Sequence, residues 1–250
     1  MPAHQRRLTK KQRRVLKQEG ILGEKNQLTS SFSIDTSIRP MTENQRIAFE
    51  SWNDGYNLML HGIAGTGKTF LGLYFALKEV TRNNSNYKKV YVIRSTVPTR
   101  DQGFMPGSQK QKEAVYEEPY YEIATKLYGR GDAYDILKQK HLIEFRSTSY
   151  LRGVTFDDCI IVVDEVQNMS DGELHTIMTR VGEGSRIIFC GDVKQDDLTS
   201  ERKKEMSGLR NFMRVINNMR EFDFIEFQIA DIVRSKLVKS YIIARDKMGL

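Results

Sequence analysis

Short apolar runs recur along the chain at Asn57–His61, Lys89–Arg94, Leu142–Phe145, Ile160–Val163, Arg186–Cys190 and Phe222–Phe227, and each reads as a buried strand. Longer segments with helical patterning lie between them. A helix opens at Thr42 and runs to about Trp52, and Phe70–Val80 is apolar almost all round, as a helix packed into a core would be. Ser108–Tyr128 reads as a helix interrupted at Pro119, Gly129–Asp132 as a break, Ser170–Val181 and Gly208–Met219 as further helices. Asp231-Ile232-Val233-Arg234 opens a C-terminal helix with Arg234 near its first turn. Strands alternating with helices predict an α/β domain built on a mostly parallel sheet.

Two helix starts carry their own signature. Thr42 with Gln45, and Ser170 with Glu173, have the spacing of a capping box, in which each side chain satisfies a backbone N–H of the other. Upstream, residues 20–38 hold Thr29, Ser30, Ser31, Ser33, Thr36 and Ser37 without periodicity and read as a linker. The domain boundary is expected near Arg39-Pro40, leaving 1–38 as a flexible arm and linker and 39–250 as the folded domain.

Composition changes this picture little, and charge changes it at one place. Hydrophobic and charged contents of 39% and 28% are ordinary for a globular chain. No run approaches the roughly 20 apolar residues of a membrane span, and the first 20 residues lack the apolar core of a signal peptide. The expected location is therefore the cytoplasm, with no membrane partner. Cys159 and Cys190 both lie in apolar strands and read as free buried thiols. Of the net charge of +7, residues 1–20 supply +6, from Arg6, Arg7, Lys10, Lys11, Arg13, Arg14 and Lys17 against Glu19. Such a basic arm suits contact with phosphate backbones, a solvated tail or a localisation signal. Few apolar residues support a helix over Leu8–Lys17.

The candidate chemistry gathers where strands end. Gly62-Ile63-Ala64-Gly65-Thr66-Gly67-Lys68-Thr69 has the spacing of a phosphate-binding loop between a strand and a helix. Its glycines let successive N–H groups turn inward, and the helix N-terminus adds partial positive charge. Lys68 would reach β- and γ-phosphates, and the Thr69 hydroxyl would ligate Mg2+. Asp164-Glu165 ends a strand where a magnesium-binding carboxylate and a water-polarising glutamate belong in such a fold. Gly191-Asp192-Val193-Lys194-Gln195 leaves the next strand, placing Gln195 to hold the attacking water or sense the γ-phosphate. Gln45 is read in two ways, as half of the capping box and as an amide matching the N6 and N7 edge of adenine. Tyr116, Tyr120, Tyr121, Tyr128 and Tyr134 likewise suit base stacking or half-buried packing.

These motifs together carry a family resemblance. Asp164-Glu165-Val166-Gln167 and Gly191-Asp192-x-x-Gln195 look like motifs II and III of superfamily 1 helicases. With Gly103-Phe104-Met105-Pro106-Gly107, Tyr150-Leu151-Arg152-Gly153-Val154-Thr155, Thr179-Arg180-Val181-Gly182, Ser207-Gly208-Leu209 and Asp231-Ile232-Val233-Arg234, the whole domain resembles the PhoH-like ATPases over roughly residues 42–240. Val166 stands where the family more often has Ala, and Arg94-Ser95-Thr96 where Arg-Pro is more usual. The resemblance implies a RecA-like P-loop NTPase that binds and hydrolyses ATP with Mg2+. It also implies coupling to binding, translocation or unwinding of single-stranded RNA or DNA. The alternative is an ATP-gated assembly or adaptor module that moves no strand. Short members of this kind are frequently encoded by bacteriophages, in which case the cytoplasm is that of the infected cell. Superfamily 1 helicases close two such domains over ATP, and this chain holds one. A homo-oligomeric ring, such as a hexamer, is therefore expected, with Arg234 supplied in trans to the neighbour's γ-phosphate and Arg152 or Arg180 as substitutes.

Overall fold

The computed structural model describes residues 32–96, 109–151, 153–192 and 206–248, and Ile34–Leu250 forms one compact unit. Six strands make one sheet: β1 (Asn57–Gly62), β2 (Lys89–Arg94), β3 (Ile143–Ser147), β4 (Cys159–Asp164), β5 (Arg186–Gly191) and β6 (Phe222–Phe227). The order is β3-β2-β4-β5-β1-β6, and every pairing is parallel. All six carboxyl ends therefore open on one edge. Register aligns Arg94 with both Asp164 and Ser147, His61 with Gly191, and Gly62 with Phe227.

Both faces of this sheet are covered, which is why its strands are apolar without strict alternation. On one face α1 (Glu43–Asn53) and α2 (Lys68–Val80) pack together, with Trp52 stacked on Phe75. There Gly72 lets the α2 backbone approach Cys190, Val162 and Ile188. On the other face Met59, Ile93, Ile161, Val163 and Phe189 meet α5 (Asp171–Met178) and α6 (Met206–Ile216) through Leu174, Ile177 and Phe212. Both cysteines are free and buried.

Between β2 and β3 the chain forms α3 (Gln109–Tyr128) and α4 (Ala133–Gln139). Contrary to the interruption expected at Pro119, α3 is unbroken, with the proline inside it. A proline at this position deprives the Val115 carbonyl of its helical donor. Val115 is exposed, so water can take that place, while buried Tyr120, Ala124 and Leu127 hold the helix against the body. The C-terminal expectation also changes. A 3-10 turn at Ile229–Asp231 ends on extended chain, Ser235 caps, and α7 (Lys236–Lys247) begins two residues beyond Arg234. Residues 1–31 and 97–108, with the Gly103–Gly107 motif, and the positions of Gln195 and Arg152 lie outside the described residues.

Candidate functional site

The loop Gly62–Thr69 leaves β1 and enters α2, and Gly62, Gly65 and Gly67 have φ of 112°, 77° and 90°. At Gly62 the requirement is absolute in space as well as dihedral. A Cβ there would stand 2.2 Å from the Phe227 carbonyl oxygen, the same atom that accepts the Ile63 N–H at 2.9 Å. Ala64 is exposed, Ile63 half-buried, and Thr66 buried with its hydroxyl donating to the Ile63 carbonyl at 3.0 Å. Lys68 is only 5% exposed and curls into the loop. Its Nζ donates to the carbonyls of Gly62 (3.2 Å) and Ile63 (2.7 Å) and pairs with Asp192 at 2.7 Å. Carbonyls, a hydroxyl and a carboxylate thus occupy the ammonium that an anion in this loop would claim.

Parallel pairing brings the end of β4 alongside. The Thr69 hydroxyl donates to Asp164 Oδ1 at 2.7 Å, and the Tyr120 hydroxyl donates to Asp164 Oδ2 at 3.0 Å. Burial raises the Asp164 pKa, and the Thr69 hydrogen bond opposes that rise. Burial also holds the Tyr120 phenol well above its ordinary range, so it remains a donor. A hydroxyl and a carboxylate this close suit Mg2+, which takes few protein ligands and keeps water and phosphate oxygens for the rest. Among the described residues there is no cluster of three acidic, His or Cys side chains of the kind an all-protein metal cage would use.

Glu165 follows with φ 56° and ψ 45°, a left-handed conformation uncommon for a side-chain-bearing residue and frequent at functional sites. Gln167 fixes it, donating through Nε2 to Glu165 and accepting the Asp192 N–H through Oε1 at 3.0 Å. Gly191 makes room for this turn, since a Cβ there would lie 2.4 Å from Val166 Cγ2. One amide side chain therefore ties the ends of β4 and β5 together.

Gln45 is buried against the loop, with one amide N–H and one oxygen lone pair already engaged. Its Nε2 donates to the Thr66 carbonyl at 3.0 Å and its Oε1 accepts the Met41 N–H at 2.9 Å. The capping box is half realised, because Thr42 accepts the Gln45 N–H while the Gln45 oxygen goes to Met41. The Ser170–Glu173 box forms in full. Arg234, expected to serve a neighbouring subunit, lies over its own loop. A Cβ built on Gly65 would meet Arg234 Cγ at 3.0 Å, and the Val233 N–H donates to the Gly65 carbonyl at 3.1 Å. A role in trans would require this side chain to leave that position. Arg180 sits beyond α5 near the Phe156–Val181 bridge, at the amino edge of the sheet and away from the loop.

Asp192, Gln167, Tyr120 and Arg94 were not anticipated as site residues. Asp192 and Gln167 stood inside recognised motifs, whereas nothing in local sequence marks Tyr120 as a partner of Asp164. Tyr120 and Tyr134 are fully buried and Tyr121 packs on Tyr134, so packing, not stacking on bases, occupies these three rings.

The PhoH-like protein family matches residues 37–245. The chain belongs to the PhoH-like family. It is 35% identical over 218 residues to a PhoH-like protein of Bacillus subtilis, covering 85% of this chain and 65% of that relative. A PhoH-like protein of Mycobacterium tuberculosis is 32% identical over 216 residues, which cover 83% of this chain and 58% of the relative. The chain thus spans about three-fifths of the length of these relatives. Among solved structures, the large terminase of a thermophilic bacteriophage in complex with ADP superposes with a TM-score of 0.50 at 11% identity, over 81% of this chain and 49% of the terminase. The shared architecture is the RecA-like P-loop fold. No helix among the described residues is long and apolar enough to cross a membrane.

Proposed function

We propose that this PhoH-like chain is a magnesium-dependent ATPase whose hydrolysis is coupled to gripping, moving along or unwinding single-stranded RNA or DNA. The observation that carries the reading is the meeting of Thr69 and Asp164 at 2.7 Å, with Lys68 on the same loop and Glu165 next in the chain. A phosphate-binding loop beside an adjacent pair of carboxylates is the arrangement phosphoryl transfer uses.

In this reading the loop N–H groups cradle the phosphates, and Lys68 exchanges Asp192 and its carbonyl partners for β- and γ-phosphate oxygens. Thr69 and Asp164 would hold Mg2+, which would supply charge neutralisation on the transferring phosphoryl group. Glu165 accepts a proton from the attacking water, and Gln167 and the left-handed backbone set its direction. Gln195 orients the same water. Gln45 braces the loop through Thr66 and offers adenine its remaining N–H and lone pair. Arg234, already over Gly65, reaches the γ-phosphate of its own subunit. The basic arm at residues 1–20 and the helicase-like Gly191-Asp192 support the nucleic-acid half of the proposal.

A second reading, ATP-gated assembly without strand movement, draws on α7. No residue of that helix is buried; Ile242 lies against Gly65 of the loop, and Leu237 (80% exposed) and Tyr241 (63%) leave apolar surface uncovered along it. The test is ATP turnover by the full chain with Mg2+, with and without single-stranded RNA and DNA. We expect stimulation by polymer and losses of about 100-fold or more in Lys68→Ala and Glu165→Gln. Turnover that responds to neither polymer would favour assembly, and wild-type protein without turnover would defeat both readings.

A further inference from the structure

Resting on the magnesium-dependent reading above, we propose that Tyr120 is a positioning residue for the metal aspartate. With Arg94 behind it, Tyr120 sets how tightly Mg2+ joins the bound nucleotide.

Asp164 ends a fully buried strand, and its two oxygens have divided partners. Oδ1 faces the Thr69 hydroxyl at 2.7 Å, whereas Oδ2 receives the Tyr120 hydroxyl at 3.0 Å. Thr69 would ligate through an oxygen lone pair while its O–H continues to donate to Oδ1, so that bond ties one ligand to the other. The Tyr120 bond instead anchors Asp164 from a group that is not itself a ligand. Tyr120 is fully buried, and its ring lies 6.0 Å from that of Phe145 on β3. It therefore fixes the carboxylate plane both before and after the cation binds, leaving Oδ1 turned toward Thr69.

A cation stands behind the phenol: Arg94, paired in register with Asp164 across β2 and β4, lies in the field of Tyr120, Asp164 and Glu165. Its guanidinium sits 5.8 Å from the centre of the Tyr116 ring, one turn earlier on α3, and the Tyr116 hydroxyl donates to the Thr96 carbonyl at 3.1 Å. A guanidinium has no acceptor, so it cannot compete with Asp164 for the phenol hydrogen, which goes to Oδ2. The helix inserted between β2 and β3 thus supplies the outer partner that ligating carboxylates commonly need.

The experiment follows a fluorescent ATP analogue bound to the full chain, titrated with Mg2+, and compares its affinity in EDTA. Tyr120→Phe keeps the ring and removes the donor. We expect the half-saturating Mg2+ concentration to rise about tenfold, with nucleotide affinity in EDTA unchanged. Arg94→Gln should shift the midpoint in the same direction by a smaller factor, while Tyr116→Phe, which loses only the Thr96 carbonyl, should leave it unaltered. Midpoints within twofold of wild type in both Tyr120→Phe and Arg94→Gln would overturn the proposal. So would an equal loss of affinity in EDTA, which is what a purely structural role predicts. If wild-type protein binds the analogue without any dependence on Mg2+, the magnesium-dependent reading itself fails, an outcome separable from failure of the Tyr120 anchor.

Discussion

At the scale of single residues, the site is held closed by its own polar atoms. Lys68 would be a costly buried cation were it not surrounded by two carbonyls and Asp192. Asp231 does the corresponding work at the loop's outer side. It accepts the Gln228 N–H at 2.8 Å and the Asn44 amide at 2.7 Å, so the turn before Arg234 is tied to α1. Burial raises its pKa, but hydrogen bonds from Thr42, Gln228 and Asn44 outweigh that and leave it below the usual carboxylate range. A lowered folded pKa contributes stability that is present above the unfolded value of about 3.9 and is lost as pH falls through the folded value. Asp231→Asn should therefore cost about 2 kcal/mol at pH 7. In thermal melts the gap to wild type should hold down to about pH 5 and close below about pH 4.

At the scale of elements, the ends of parallel strands do the assembling. Ser95 after β2 and Thr148 after β3 both donate to Glu173, which also completes the cap of α5. Gly62 sets how closely β1 and β6 join at the loop entrance. Gly62→Ala places a Cβ on the Phe227 carbonyl at φ 112°, and urea denaturation should show a loss above about 2 kcal/mol. Gly129→Ala also has positive φ, 67°, but meets nothing within 4 Å, and should lose only about 1 kcal/mol. Strand positions were legible because buried parallel strands are near-continuous apolar runs. Pro119 was misleading because a local rule predicted a break that burial of Tyr120 and Leu127 overrides.

At the scale of the molecule, the question is which subunit's phosphates Arg234 serves. With the side chain over its own Gly65, mixing Arg234→Ala chains with Lys68→Ala chains should restore no activity. Recovery of turnover in the mixture would show an arginine acting between subunits and would make an oligomer necessary.

What the sequence determined by itself was the fold class and the glycine-loop and carboxylate motifs that gather where strands end. Both are written locally, in strand-length apolar runs and in glycine and carboxylate spacings dictated by phosphate geometry. Tertiary structure alone decided how Gln45 spends its amide, where Arg234 points, and that Tyr120 reaches Asp164 across 44 residues of chain. These are pairings between side chains distant in sequence. Their hydrogen-bond capacity is visible in the residue type, but their partners are chosen by the parallel sheet and by what must be satisfied once water is excluded.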